Sequence, residues 1–204
     1  MKKVFILLLT ISLSAGFTSC KSDKKETTAT ESEKKAAFSL KNATNEINFT
    51  AYKFTEKTPV GGQFRQVEIT TGGSGNTIKE AINNAEFSIP VSSIFTKDSS
   101  RDYKIQKFFF GVMSNTKLLS GKLMIENDSI GSAMINMNGV SEKIPFKYTI
   151  VNNTFAMSAT MDISNWKALD ALASLNKVCE ALHTGSDGIS KTWSDVALNI
   201  TSKF

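Results

Sequence analysis

The sequence predicts an all-β fold over residues 38–204: an antiparallel barrel of about eight strands with two short helices. Three observations predict it. Apolar and polar residues alternate with a period of two in most segments, turn-forming residues separate consecutive segments, and hydrophobic residues make up 41% of the chain. Strands show this alternation because successive side chains point to opposite faces. A closed barrel of eight strands leaves room inside for one small ligand.

Three strands are predicted before the first helix. They cover Ile47–Ala51, Val60–Thr71 and Glu86–Phe95, and each carries apolar residues at alternate positions. The glycine-rich stretch 72–75 follows the second strand without the lysine and hydroxyl residue of a phosphate-binding loop. We therefore expect it to be a flexible loop between strands.

Four strands joined by three tight turns form a predicted meander, and one more strand ends the chain. The turns contain Asn127-Asp128, Asn138-Gly139 and Asn152-Asn153, residue types that tolerate the positive φ of two-residue hairpins. In the last two meander strands the apolar residues share one face and polar residues the other, so one face is buried and one is wet. These five strands are predicted over Leu118–Glu126, Ile130–Met137, Lys143–Val151, Phe155–Ile163 and Thr192–Phe204.

Two helices are expected to interrupt the strands. A short helix is predicted over Asp98–Phe109. A longer one is predicted over Asn165–His183, where apolar residues recur at helical spacing, Ser164 or Asn165 can cap the start and Gly185 can end it.

The N-terminal segment predicts export and membrane anchoring. Two lysines precede the apolar run Val4–Leu13, and small residues then lead to Cys20, a pattern typical of a secretory signal peptide. We expect residues 1–19 to be a lipoprotein signal peptide and Cys20 to be lipidated; the alternative is a plain signal peptide with an incidental cysteine. Residues 20–37 are predicted to be a flexible tether. The expected location is the bacterial cell envelope, with the protein lipid-anchored in the outer membrane and facing the periplasm or cell surface.

Composition excludes several classes of function. The net charge of +5 comes from scattered lysines, which gives no basis for nucleic-acid binding. The chain has one histidine, so a histidine-rich metal site or a catalytic triad is not expected, and we predict no cofactor, no metal, no catalytic residue and no enzymatic activity. Cys179 lies on the apolar stripe of the second helix and is predicted to be buried and unreactive.

Residues 96–111 carry the most unusual pattern in the chain. Three consecutive phenylalanines, Phe108–Phe110, cannot all face the core from one strand, because side chains alternate. At a transition from helix to strand they could line the mouth of a cavity, or they could plug one end of the barrel. Arg101 and Asp102 could form an ion pair that fixes this loop, or Arg101 could meet an anionic headgroup.

Several motifs, in order and spacing, resemble those of the YceI-like polyisoprenoid-binding family. Ser93-Ile94-Phe95-Thr96 is followed by Arg101-Asp102 and Phe108-Phe109, as in the family's central segment. Val60-Gly61-Gly62-Gln63-Phe64 resembles its N-terminal hairpin, and Asn138-Gly139-Val140 with Ile144-Pro145-Phe146 resembles a later turn and strand. The resemblance covers residues 38–204 and implies a lipocalin-like barrel with an elongated apolar cavity that holds an isoprenoid chain.

The predicted function is therefore binding of an isoprenoid or similar long-chain amphiphile, for carriage, storage or sequestration. Its expected partners are that lipid and, through Cys20, a membrane; a homodimer is possible. The alternatives are an envelope interaction protein with a filled barrel and an enzyme acting on a lipid substrate. Arg101 and Asp102 are predicted at the rim, near the headgroup. The predicted cavity-lining residues are Phe49, Phe64, Phe87, Phe108, Phe109, Phe146, Tyr148, Phe155, Met157, Met161 and Leu172.

Overall fold

The computed structural model describes residues 36–204, which are built around one antiparallel sheet of ten strands. In chain order the strands of the domain are β1 (Phe38–Ser39), β2 (Thr44–Lys53), β3 (Thr58–Phe64), β4 (Glu68–Thr71), β5 (Ser74–Gly75), β6 (Glu86–Pro90), β7 (Ile94–Phe95), β8 (Leu118–Ile125), β9 (Ile130–Met137), β10 (Val140–Val151), β11 (Thr154–Asp162) and β12 (Asp195–Lys203). The order in the ten-stranded sheet is β4-β6-β8-β9-β10-β11-β12-β2-β3-β7, and the short strands β1 and β5 pair with each other.

The sheet curls round because two interrupted segments pair with each other. One segment is β3 followed by β4. The other is β6 followed by β7, and a 3-10 turn (Val91–Ser93) separates β6 from β7. β4 pairs with β6, β3 pairs with β7, and the Arg65 N–H donates to the Ser93 carbonyl at 3.0 Å between these pairings. When β3–β4 and β6–β7 are each counted as one segment, the ten strands form eight segments of chain. The predicted antiparallel, barrel-like all-β fold is confirmed.

The helices differ from the prediction in their ends. α2 (Ser99–Lys104) continues into a π-helical turn (Ile105–Phe109) and a 3-10 turn (Phe110–Val112). Together these pieces correspond to the first predicted helix and extend three residues beyond its predicted end. The second predicted helix is three pieces, a 3-10 turn (Ile163–Trp166), α3 (Leu169–Val178) and α4 (Glu180–His183). One short helix, α1 (Ile78–Ile82), was not predicted.

The predicted caps of the second helix are wrong. Ser164 and Asn165 lie inside the 3-10 turn, and Lys167, in the left-handed conformation at φ 55°, ends that turn before α3 begins. Ala168 precedes α3 and supplies no side-chain cap. The last helix ends at His183, before Gly185. None of the helices within residues 36–204 is long and apolar enough to cross a membrane.

The hairpin turns follow their residue types in two of three places. Asn138-Gly139 and Asn152-Asn153 all adopt positive φ, between 48° and 70°, as predicted. Asn127-Asp128 does not. There the Asn127 side-chain oxygen accepts hydrogen bonds from the N–H groups of Ser129 and Ile130, at 3.0 and 2.9 Å, and a longer loop joins β8 to β9.

The connections lie at two ends of the sheet, as alternating strand directions require. The helical end carries the β2–β3 turn, residues 96–117 with α2, and residues 163–194 with α3 and α4. The opposite end carries α1, the β8–β9 loop and the β10–β11 turn. Lys35–Phe204 forms one compact unit with its own core, which is the property of a segment that folds by itself.

Candidate ligand cavity

A cavity of about 220 Å³ lies between the curled sheet and the helical end. Inward side chains of most strands line it, and the helical end adds Ile105, Phe109, Leu172 and Leu175. No charged side chain of residues 36–204 lines the cavity. Its few polar lining groups come from Asn45, Thr192, Trp193 and Ser202, so the interior suits a hydrocarbon chain and offers little to a hydrated solute.

The last strand shows that the interior is not filled by side chains. Val196, Leu198 and Ile200 of β12 line the cavity, yet each is half-buried, whereas Phe146 and Tyr148 of β10, which do not line it, are buried. An inward side chain in a filled core would be buried like its neighbours. These residues retain accessible surface because they face the cavity.

Three phenylalanine rings each lie over a glycine directly across the strand pair, and two of them, Phe49 and Phe87, form part of the cavity wall. The pairs are Phe49 with Gly62, Phe87 with Gly121 and Phe146 with Gly131. A Cβ at any of these glycines would overlap the ring opposite. The absence of a side chain lets the ring lie against the backbone, an arrangement that also compensates for glycine in a strand.

The structure places eight of the predicted lining residues around the cavity and three elsewhere. Whether the eight contact a ligand stays a prediction. The cavity also has lining on most strands that the prediction missed, including the aliphatic residues of β12, and Phe110 at the helical end. The period-two pattern of β12 was the signal for its residues. The eight are Phe49, Phe64, Phe87, Phe109, Phe155, Met157, Met161 and Leu172.

Phe146 and Tyr148 do not line the cavity, contrary to prediction. Both are buried in an aromatic cluster with Phe155, whose ring centroid lies 6.3 Å from that of Phe146 and 5.3 Å from that of Tyr148. The Tyr148 hydroxyl donates to the Asn127 carbonyl at 2.6 Å, in the β8–β9 loop. The two side chains therefore fill the interior beside the opposite end.

Phe108 also lies outside the cavity, because the π-helical turn separates the three consecutive rings. Phe109 and Phe110 face the cavity, and their ring centroids are 4.9 Å apart. Phe108 instead packs against Tyr103, and the Lys107 ammonium lies 5.3 Å from the ring centroids of both. The run thus supplies two lining residues and one on the outer side of the helical end.

Arg101 and Asp102 do not pair with each other, so the predicted ion pair is wrong. Arg101 lies 3.6 Å from the Asp98 carboxylate, and neither side chain is buried. The Asp102 carboxylate accepts hydrogen bonds from the Thr96 N–H at 2.8 Å and the Thr96 hydroxyl at 2.6 Å. Neither Arg101 nor Asp102 lines the cavity. Asp102 instead fixes the start of α2 to the end of β7.

A family comparison agrees with this architecture. A family model described as "YceI-like domain" matches residues 38–204 of the 204-residue chain. The chain belongs to the YceI-like family. No curated protein sequence matches it. Among solved structures, a polyisoprenoid binding domain from Saccharophagus degradans, implicated in plant cell wall breakdown, gives a TM-score of 0.58 at 14% identity, covering 82% of this chain and 97% of that one. BcnA from Burkholderia cenocepacia gives 0.52 at 11% identity, covering 81% and 98%.

In this YceI-like domain, the polar lining of the helical end belongs to a hydrogen-bonded cluster. The Thr192 hydroxyl donates to the Asn176 side-chain oxygen at 2.6 Å, and His183 Nδ1 lies 2.7 Å from the same hydroxyl. Lys53 donates to the Leu182 carbonyl at 3.0 Å nearby. The cavity therefore ends, on this side, in polar groups, and the Lys53 ammonium lies near them without lining the cavity.

Burial shifts the pKa of two groups beside the cluster. Burial lowers the pKa of His183 below its usual value, and the positive charges of Lys53, Arg101 and Lys104 lower it further. Burial raises the pKa of the Cys179 thiol, which opposes formation of the reactive thiolate. The prediction of a buried Cys179 is confirmed.

In residues 36–204, His, Cys, Asp and Glu form no group of three that could hold a metal ion. The predicted signal peptide, Cys20 and nearly all of the predicted tether fall outside the described residues.

Proposed function

We propose that this protein is an exported, lipid-anchored binding protein that holds an isoprenoid or similar long-chain amphiphile in its cavity, as a carrier or store. The observation that carries the proposal is an unfilled interior with no charged lining residue in the described domain. Moving a hydrocarbon chain from water into such a space contributes about 0.8 kcal/mol per CH₂ group, so binding needs few polar contacts. The structural likeness to a polyisoprenoid binding domain supports the same ligand class.

We propose that the bound amphiphile lies with its hydrocarbon chain in the cavity and its headgroup at the helical end. Thr192 lines the cavity there, and its cluster lies beside Lys53, Arg101 and Lys104. The opposite end is occupied by buried aromatic rings, and the hydroxyl of Ser202 there already donates to Asn45 at 2.7 Å. Arg101 keeps its proposed place near the headgroup, while Asp102 is a structural residue.

The anchor is proposed from the sequence. Cys20 follows a signal-like segment, and lipidation there would hold the cavity near the membrane that supplies or receives the ligand. The proposed location is the outer membrane of a bacterial envelope. Metabolic labelling with a fatty acid tests this: the wild type should take up label in the membrane fraction, and Cys20→Ala should not. Label retained by Cys20→Ala would contradict the anchor.

Lipid identification tests the cavity. Native mass spectrometry and organic extraction of the purified protein should reveal a bound long-chain amphiphile in the wild type. Leu198→Trp, which points a larger side chain into the cavity, should lose it. Asn199→Trp is the matched control, because the adjacent Asn199 points to solvent on the same strand.

A folded wild-type protein that carries no lipid after purification, and takes up none when polyprenols or fatty amphiphiles are added, would overturn the proposal. Equal lipid content in Leu198→Trp and the wild type would place the ligand elsewhere.

A further inference from the structure

The exposed apolar side chains of the domain concentrate at the helical end. Nine large apolar residues are exposed in residues 36–204, and seven of them lie at this end. One of the seven is Leu118, at the start of β8. Leu182 is 57% exposed and Tyr103 is 55% exposed. Scattered exposed apolar residues need no explanation, but a concentration at one end indicates a contact surface. The other six are Tyr103, Val112, Leu169, Val178, Leu182 and Ile189.

A local excess of positive charge lies at the same end. Residues 97–117 carry five basic side chains against two acidic ones, whereas residues 36–204 as a whole carry 17 against 15. Both acids are already engaged: Asp98 lies by Arg101 and accepts from its N–H at 3.1 Å, and Asp102 accepts from Thr96. The remaining lysines of the segment have no ion-pair partner in the described structure.

Basic and aromatic groups are also combined within single contacts. The Lys107 ammonium donates to the Tyr103 hydroxyl at 2.8 Å and lies near the ring faces of Tyr103 and Phe108. Tyrosine and lysine side chains that present an apolar body and a polar tip are typical of the interface between water and lipid. The inner side of the same helical segment lines the cavity through Ile105 and Phe109.

We propose that the helical end is a docking surface for a bilayer that contains anionic lipid. Its exposed apolar side chains would enter the headgroup region, and its lysines would meet anionic headgroups. Docking through this surface requires neither the Cys20 anchor nor a ligand in the cavity. Docking would turn the helical end of the cavity toward the lipid phase.

Vesicle binding of the unit Lys35–Phe204, stripped of lipid, tests the surface without the N-terminal segment. The unit should cosediment with vesicles of phosphatidylcholine mixed with phosphatidylglycerol, bind phosphatidylcholine alone much more weakly, and dissociate as salt is raised. Lys104→Gln with Lys107→Gln should lower the partition coefficient roughly thirtyfold. Lys147→Gln with Lys203→Gln, which removes the same charge from exposed strand positions, should change it little.

The apolar part is tested in the same way. Leu182→Ser should weaken binding, and Val151→Ser, at an equally exposed residue of the β10–β11 turn, should not. Leu198→Trp should still bind vesicles, which separates this surface from the proposed ligand cavity. The proposal would be overturned if the unit did not bind anionic vesicles, or if Leu182→Ser and Val151→Ser weakened vesicle binding equally. The proposal would also be overturned if sedimentation showed a homodimer that dissociates in Leu182→Ser and the protein bound no vesicles, since a second copy would then cover this surface.

Discussion

At the scale of single residues, a glycine opposite a phenylalanine controls the shape of the cavity wall. Gly62 pairs with Phe49, and a Cβ at Gly62 would overlap the Phe49 ring and lie 2.9 Å from Cγ2 of Thr96. We expect Gly62→Ala to push the ring toward the cavity and to lower the free energy of unfolding by about 1–3 kcal/mol, the usual cost of overpacking. Urea denaturation measures this loss.

The adjacent glycine provides the control for that substitution. A Cβ at Gly61 would meet only the Phe49 carbonyl oxygen, at 4.0 Å, so Gly61→Ala should leave the free energy of unfolding nearly unchanged. Adding Phe49→Leu should recover part of the loss caused by Gly62→Ala, because the overlapping ring is then gone. Strictly additive effects of the two substitutions would show that the ring is not the cause.

A second prediction for a single residue concerns the pH dependence of stability. Because burial, and then nearby cations, lower the pKa of His183, the folded protein resists a proton that the unfolded chain accepts below about pH 6.5. Stability should therefore fall as pH drops through this range, and fall less in His183→Asn. NMR can follow the ring directly, since the chain has one histidine. A measured pKa at or above 6.5 would contradict this account.

At the scale of elements, the helical segment after β7 depends on the carboxylate of Asp102. This group joins α2 to the end of β7 through both the N–H and the hydroxyl of Thr96. We expect Asp102→Ala to cost about 1–3 kcal/mol, since hydrogen bonds to a charged group are lost and polar groups of the half-buried loop lose their partner. Hydrogen exchange should speed up over residues 99–109 and stay unchanged in β9. Asp98→Asn, which keeps a capping side chain, is the control.

The elements also show how far the sequence could predict this molecule. All eight segments of sheet were predictable, because alternation and turn residues are local signals. The five-residue α1 is too short to show a period. The breaks between β3 and β4 and between β6 and β7 follow from pairing across the sheet, which no single segment reveals. Alternation gave Phe146 and Tyr148 the right face, but their depth along the interior, beside the β8–β9 loop, depends on the assembled sheet.

At the scale of the whole molecule, an unfilled interior predicts that ligand and stability are linked. A ligand that binds only the folded state at about a hundred times its dissociation constant adds about 2.7 kcal/mol to the free energy of unfolding. For a domain of this size, that corresponds to a rise in Tm of roughly 5–10 °C. We therefore expect the lipid-stripped protein to melt earlier than the protein as purified, and to recover when a long-chain amphiphile is added. Leu198→Trp should show no shift with added amphiphile and Asn199→Trp a full one. Equal shifts in the two variants would mean that the amphiphile stabilises the protein from outside the cavity.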